Sequence, residues 1–216
     1  MPVPGDQWQQ GRLATAVVVL PEGTTPTGTR GRVLHAALGL FAARGFHGTS
    51  IREIGAAAGI NSATLYGYYS SKELILAELV LIGHRELHRR LLETVAEVAD
   101  PVERLTALVR THVLVHTDFS LLSVVTNSEL HVLSAELAAP SLALRAASEQ
   151  LRLDALTDGV RDGSFDLSDV RLAARAISGM GQRVGNWFGP GQDHTREQVA
   201  EAFVCFALRL AGHRER

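Results

Sequence analysis

The segment TSIREIGAAAGINSATLYGYYSSKELI, residues 49–75, narrows the choice of fold more than any other stretch of the chain. Thr49 and Ser50 are helix-capping residue types, and Glu53 follows Ser50 at the capping-box spacing. Ile51, Ile54 and Ala58 then recur on one face at helical spacing. Gly59 ends that helix, because glycine enters the left-handed C′ conformation without a Cβ penalty. Asn61 caps a second helix predicted over Ser62 to about Tyr66, and another begins at Ser71. Helix, glycine turn and short helix form the helix-turn-helix pattern, whose second helix lies in the DNA major groove.

The outward side of that second helix suits the task. Leu65 is its apolar anchor, which leaves Ser62, Ala63, Thr64 and Tyr66 outside. Small side chains let a helix sit deep in the groove, and a methyl or hydroxyl can meet a thymine methyl or a base edge. Tyr66 and Tyr68 can donate to phosphate oxygens, and Lys72 brings a positive charge to the next helix start. Arg30 and Arg32, near the start of the preceding helix, are further phosphate candidates. Thr49, Ser50, Arg52 and Asn61 complete the predicted DNA-contacting set. The rival reading is a plain three-helix core with the tyrosines as half-buried packing.

The run FAARGFHGTSIREIGAAAGINSATLYGYYSSKELILAEL, beginning at Phe41, resembles the DNA-binding domain of TetR-family transcriptional regulators. The matching pieces are Phe41, Gly45-Phe46, Thr49-Ser50-Ile51, Ile54-Gly55, Ala58-Gly59-Ile60, Thr64-Leu65-Tyr66, Tyr68-Tyr69 and Ser71-Lys72-Glu73-Leu74, within a span from Thr27 to Val80. Gly67 stands where the family often has His, Arg or Trp, Tyr69 replaces a usual Phe, and Ser62 stands where Lys or Arg is frequent. The resemblance therefore implies the docking mode and leaves the operator sequence open. It also implies a homodimer on a palindromic operator in double-stranded DNA.

The chain has 216 residues, enough for a small head and a larger helical body. Hydrophobic residues make up 46%, so a sizeable core is within reach. The formal net charge of −2 rules out a uniformly basic coat. Between Thr27 and Gly83, however, five Lys/Arg face three acids, so the acidic excess lies in the remainder. A mildly positive head on an acidic body fits a DNA reader with a separate regulatory part. The single cysteine, Cys205, excludes an intrachain disulfide, fits a reducing cytoplasm and is expected to pack as a small hydrophobe. No apolar run reaches the length of a membrane span, and Ala16–Leu20 is too brief for a signal-peptide core. Residues 1–26, with four of the seven prolines, are expected to form a flexible arm.

The chain predicts an all-α fold of about nine helices, with no period-2 strand pattern: an arm (1–26), a helix-turn-helix head (27–75) and a ligand-binding and dimerisation body (76–216). The first helix runs from Thr27 or Thr29 to about Arg44, and the fourth from Ser71 to about Val98. Asp100-Pro101 starts a helix to about Thr117, and a further one spans about Phe119 to Ser134. Pro140 is expected to open the next, Ser141 to Arg161. Asp166 or Ser168 caps another to about Phe188, and the last runs from about Thr195 to Ala211.

In the body, Val170, Ala174, Ile177, Gly181 and Val184 on one helix, and Val199, Phe203, Phe206 and Leu210 on the last, recur at helical spacing and are predicted to form a two-fold four-helix interface. The remaining helices would enclose a pocket for a small, mostly hydrophobic effector, with Phe119, Leu122, Asn127, Leu130, His131, Arg183 and Trp187 as lining candidates. His84 and His88 are four apart but lack a third metal ligand, no nucleophile–base set is visible, and neither an enzyme nor a cofactor is expected. From Ala143 to Arg209 the chain also resembles TetR regulators that respond to acyl-coenzyme A thioesters. The resemblance rests on Asp158-Gly159-Val160-Arg161-Asp162-Gly163 with Phe165, Asp169-Val170-Arg171-Leu172-Ala173-Ala174, Gly179-Met180, and Trp187-Phe188 with Pro190. The implied activity is a repressor released from its operator by such an effector; the alternative is a regulator of an efflux pump that senses a lipophilic drug or antibiotic intermediate.

Overall fold

The computed structural model describes residues 17–213. These residues form ten α-helices and one 3-10 turn, with no strand among them. The helices are α1 (Gly28–Arg44), α2 (Ile51–Ala57), α3 (Ser62–Tyr68), α4 (Lys72–Val95), α5 (Pro101–Asp118), α6 (Ser120–Glu129), α7 (Ala135–Asp162), α8 (Val170–Gln182), α9 (Val184–Trp187) and α10 (Arg196–Leu210). Helices α8 and α9 were expected as one; the chain breaks at Arg183.

Local sequence sets most of these ends. Ser50 and Glu53 make both halves of a capping box on α2, as do Thr195 and Gln198 on α10. Asn61, Ser71 and Asp100 each accept a main-chain N–H in the first turn of α3, α4 and α5. Asp169, and neither Asp166 nor Ser168, caps α8. Helix α7 begins at Ala135, so Pro140 lies within it and does not open it. The proline ring leaves the Glu136 carbonyl without its helical partner. Both residues are exposed, so water can serve that oxygen.

Helices α1, α2 and α3 pack round Leu34, Leu38, Phe41, Ile54 and Leu65 against the start of α4. The same cluster continues into the body through Leu121, Leu122 and Val125 of α6, Leu133 and Ala138. At Phe119 the chain bends by 99°, which turns α6 away from α5 and across the head. Helix α4, roughly 36 Å long at 1.5 Å per residue, runs from the head into the body and packs on α5 and α7. A second core joins α5, α7, α8 and α10 through Leu105, Val109, Leu156, Ala174, Ile177 and Val204.

Of the arm expected over 1–26, residues 1–16 lie outside the described residues. The rest is held: Val18 and Leu20 pack on the head cluster, and the Val18 carbonyl lies 3.1 Å from His35 Nε2.

Candidate functional site

Two sites emerge, an exposed helix face on the head and a partly enclosed chamber in the body. The first is set up by glycine at the turn. Gly59 has φ of +68°, its N–H bonds to the Ala56 carbonyl, and Ile60 N–H bonds to the Gly55 carbonyl at 3.0 Å. That pair of bonds is a Schellman cap, which swings the chain sharply into α3. A Cβ on Gly55 would lie 3.3 Å from the Ile60 carbonyl oxygen, so glycine there eases the tight turn between α2 and α3. Leu65 is fully buried, while Ser62, Ala63, Thr64, Tyr66 and Tyr68 face outward, the two tyrosines about half exposed. Ser50, Arg52 and Asn61 are exposed on the same substructure.

Three residues expected at DNA are otherwise engaged. Thr49 is buried, and its hydroxyl donates to the Gly45 carbonyl at 3.0 Å. Lys72 Nζ donates to the Phe46 and Thr49 carbonyls at 2.5 and 2.6 Å and lies 4.1 Å from the Phe46 ring centroid. Burial lowers its pKa. Its charge thus ties the α1–α2 loop to the start of α4. Arg30 pairs with Glu78 at 2.7 Å, and the Tyr69 hydroxyl donates to the same carboxylate, which joins α1 to α4. For all three the sequence gives the residue type but not the direction of the side chain.

The chamber lies between α4, α5, α6 and α7 and measures about 40 Å³. Phe119, Leu122 and Asn127 line it as expected. Leu130 packs instead on the head cluster, His131 and Arg183 are exposed, and Trp187 lies on the outer side beside Phe203. Gln182, next to Arg183, reaches the chamber wall.

The wall is mainly apolar, as expected, and apart from Asn127 its polar groups are not the ones predicted. His84, His112, His116, Thr126 and Arg152 contribute to it, and all five are buried. Burial lowers the pKa of each histidine, that of His116 to about 4, so the rings are neutral at pH 7. The spacing of His112 and His116, four apart on one helix, was the available signal; their place in an apolar stripe concealed it. No group of residues able to hold a metal ion occurs among the described residues. Beside the chamber, an outer groove of about 470 Å³ shares Arg145, Arg152 and Gln182 with it and adds Arg175 and Glu149.

The predicted dimer stripe divides in two. Ala174, Ile177, Gly181, Val184 and Val199 are buried, and Val170 is half-buried against the same core, so they face their own chain. Phe203 is half-buried, while Phe206 and Leu210 are exposed, and Leu172 on α8 is 65% exposed. Cys205, expected to be packed, is exposed beside Phe206. Regular apolar spacing shows that a face is covered, not whether its own chain or a second one covers it.

A helix-turn-helix head fused to an all-α body defines a DNA-binding regulator. Residues 33–79 match the family described as bacterial regulatory proteins, tetR family, and residues 98–211 match the tetracyclin repressor-like C-terminal domain. The chain is 31% identical over 184 residues to the HTH-type transcriptional repressor KstR2 of Rhodococcus jostii strain RHA1, covering 84% of this chain and 90% of that protein. The structure of the ketosteroid transcriptional regulator KstR2 of Mycobacterium tuberculosis superposes with a TM-score of 0.81 at 27% identity, covering 93% of this chain and 100% of that one. AibR, solved with isovaleryl coenzyme A and operator DNA, superposes with a TM-score of 0.75 at 29% identity, covering 81% and 95%. The chain belongs to the TetR family of bacterial regulatory proteins. No single described helix is long and apolar enough to cross a membrane.

Proposed function

We propose that the protein is a homodimeric cytoplasmic repressor, released from a palindromic operator by an acyl-coenzyme A thioester. Residues 27–75 serve as the DNA-reading unit and 76–216 as the effector and dimer unit. The observation that carries the effector class is the pairing of a small, partly enclosed chamber with an arginine-bearing groove. Arg145 belongs to both, and Arg175 stands in the groove. A groove of that volume falls in the range of small-molecule sites, and guanidinium groups suit phosphates. The isovaleryl coenzyme A bound by AibR supports the same class. A purely lipophilic drug leaves those arginines and the buried polar groups of the chamber unused.

The release mechanism follows from what borders the chamber. At about 40 Å³ it must widen to admit an acyl chain. Its wall includes α4, which enters the head, and Phe119 and Leu122, which also pack in the head cluster. Effector thus favours a state with the heads re-aimed, and a few kcal/mol of preference empties the operator. Dimerisation through Leu172, Phe206 and Leu210 with their neighbours supplies two heads for operator half-sites about one helical turn apart.

A mobility-shift titration on the DNA upstream of the protein's own gene tests this reading. Retardation is expected without effector, with release by medium-chain acyl-coenzyme A and none by free coenzyme A. Retardation indifferent to every thioester would refute the effector class, and no retardation would refute the repressor.

A further inference from the structure

Three buried polar atoms on the chamber wall have no hydrogen-bond partner among the described residues: His112 Nε2, Thr126 Oγ1 and Arg152 Nη1. Their residues are 3%, 7% and 3% exposed. Buried polar groups are nearly always paired, so three in one chamber need an explanation. Packing alone does not give one. Valine would fill the space of Thr126 without a stranded hydroxyl.

The neighbouring groups define what would satisfy them. His84 Nδ1 lies 2.9 Å from the Val80 carbonyl, and His116 Nδ1 lies 2.9 Å from the His112 carbonyl. A carbonyl accepts only, so each Nδ1 carries the hydrogen. Burial keeps both rings neutral, which leaves each Nε2 a bare acceptor. Arg152 Nη1 is a donor, and the Thr126 hydroxyl is both donor and acceptor. The wall therefore offers donors and acceptors together.

Charge is already balanced. Glu86 accepts from Arg89 and Arg90, and Glu149 accepts from Arg152 and Ser178. Arg145 lines both the chamber and the groove and is exposed, so its charge lies at the open side. A carboxylate placed between His84 and His116 would meet bare imidazole nitrogens, with the Arg152 guanidinium already shared with Glu149 and Arg145 at the exposed side. An alkyl chain would strip the wall of water and leave its polar atoms unpaired. A hydroxyl can give its hydrogen to an imidazole and accept from the guanidinium or from Thr126.

We infer that the chamber takes the acyl end of a thioester bearing an uncharged hydroxyl group, in preference to a plain alkyl or a carboxylate-ended chain. This rests on the thioester reading above and deepens it.

The test uses the full chain and calorimetry with N-acetylcysteamine thioesters, which keep the acyl end and lack the nucleotide. Octanoyl is compared with the isomers carrying a hydroxyl at carbon 3, 5 or 7, and with the chain ending in a carboxylate. At least one hydroxyl isomer is expected to bind tenfold or more tightly than octanoyl. That preference should shrink to within about threefold in Thr126→Val, or in His112→Phe if that variant folds. Undetectable binding of every thioester, hydroxyl isomers all within threefold of octanoyl, tightest binding of the carboxylate, or a preference that survives Thr126→Val and every folded His112→Phe sample would each overturn the inference. Coenzyme A thioesters that bind no better than these short analogues would refute the coenzyme A reading and leave the hydroxyl inference standing.

Discussion

The Lys72 ammonium donates to the Thr49 carbonyl at 2.6 Å, so two residues expected at DNA hold each other inside the head. Lys72 also takes the Phe46 carbonyl, and together these bonds fix the loop that leads into the helix-turn-helix. Lys72→Met keeps the stem and removes the donors. Hydrogen bonds from a charged group are worth about 1.5–3 kcal/mol, so the head should lose about 2 kcal/mol or more. Denaturant unfolding reads this as a lower midpoint. The salt dependence of operator binding should stay near that of the parent, because no phosphate contact is removed.

On α3 the expectation is a split between two exposed residues. Thr64→Ala should change which operator variants bind best, since Thr64 is exposed on α3 and its methyl and hydroxyl would meet base edges if α3 docks in the major groove. Tyr68→Phe should weaken binding to all variants by a similar factor, about tenfold, as loss of one phosphate hydrogen bond does. A panel of single-base operator substitutions, titrated at one salt concentration, separates the two. Uniform loss from Thr64→Ala would remove it from base reading.

At the other end of the molecule, Phe206 is 48% exposed beside Leu210 and Cys205. Phe206→Glu places a charge on that apolar surface and leaves the buried core residues in place. Sedimentation should show a shift from dimer to monomer, and operator affinity should fall at least 100-fold, because one head reads a single half-site. Ala174→Glu is the contrasting change: Ala174 is fully buried, so it should unfold the body rather than dissociate it.

These cases show which features of the fold can be read from the chain. The ends of α2, α3, α5 and α10 were legible because a cap is a local event: Ser50 with Glu53, Asn61, Asp100 before Pro101, and Thr195 lie within a turn of the groups they serve. The outward set on α3 was legible because Leu65 fixes the inner side of so short a helix. Thr49, Lys72 and Arg30 were not, because their side chains turn towards partners brought close only by tertiary folding. The same holds for α8, whose apolar stripe is covered by its own chain. His112 and Arg152, which define the chamber, lie 40 residues apart in the chain, and no local pattern joins them.

The buried histidines predict an acid-sensitive body. Burial lowers their pKa values, that of His116 to about 4, whereas an unfolded histidine titrates near 6.5. Between those values the unfolded chain binds more protons than the folded one, so stability falls as pH falls. Each such histidine contributes a slope of up to about 1.4 kcal/mol per pH unit across that window. Melting temperature should be level above pH 7 and decline from about pH 6.5 towards 4.5. His116→Gln should lessen the slope. A flat profile across this range would show that the rings are not buried as neutral groups.

Gly83 on α4 borders the chamber, and a Cβ there would lie 2.7 Å from Thr126 Oγ1 and 3.4 Å from Leu122 Cγ. Gly83→Ala therefore pushes α4 and α6 apart or forces Thr126 aside, in a chamber already narrow. The glycine-to-alanine change itself favours a helix by about 1 kcal/mol, which offsets part of that strain. An acyl chain must now enter a smaller space next to a displaced α6. The effector concentration needed to release half of the operator should rise at least tenfold, with operator affinity measured alongside. If release is unchanged, the effector does not use the part of the chamber between Gly83 and Thr126, and the path from chamber to head must run through α5 and α7 instead.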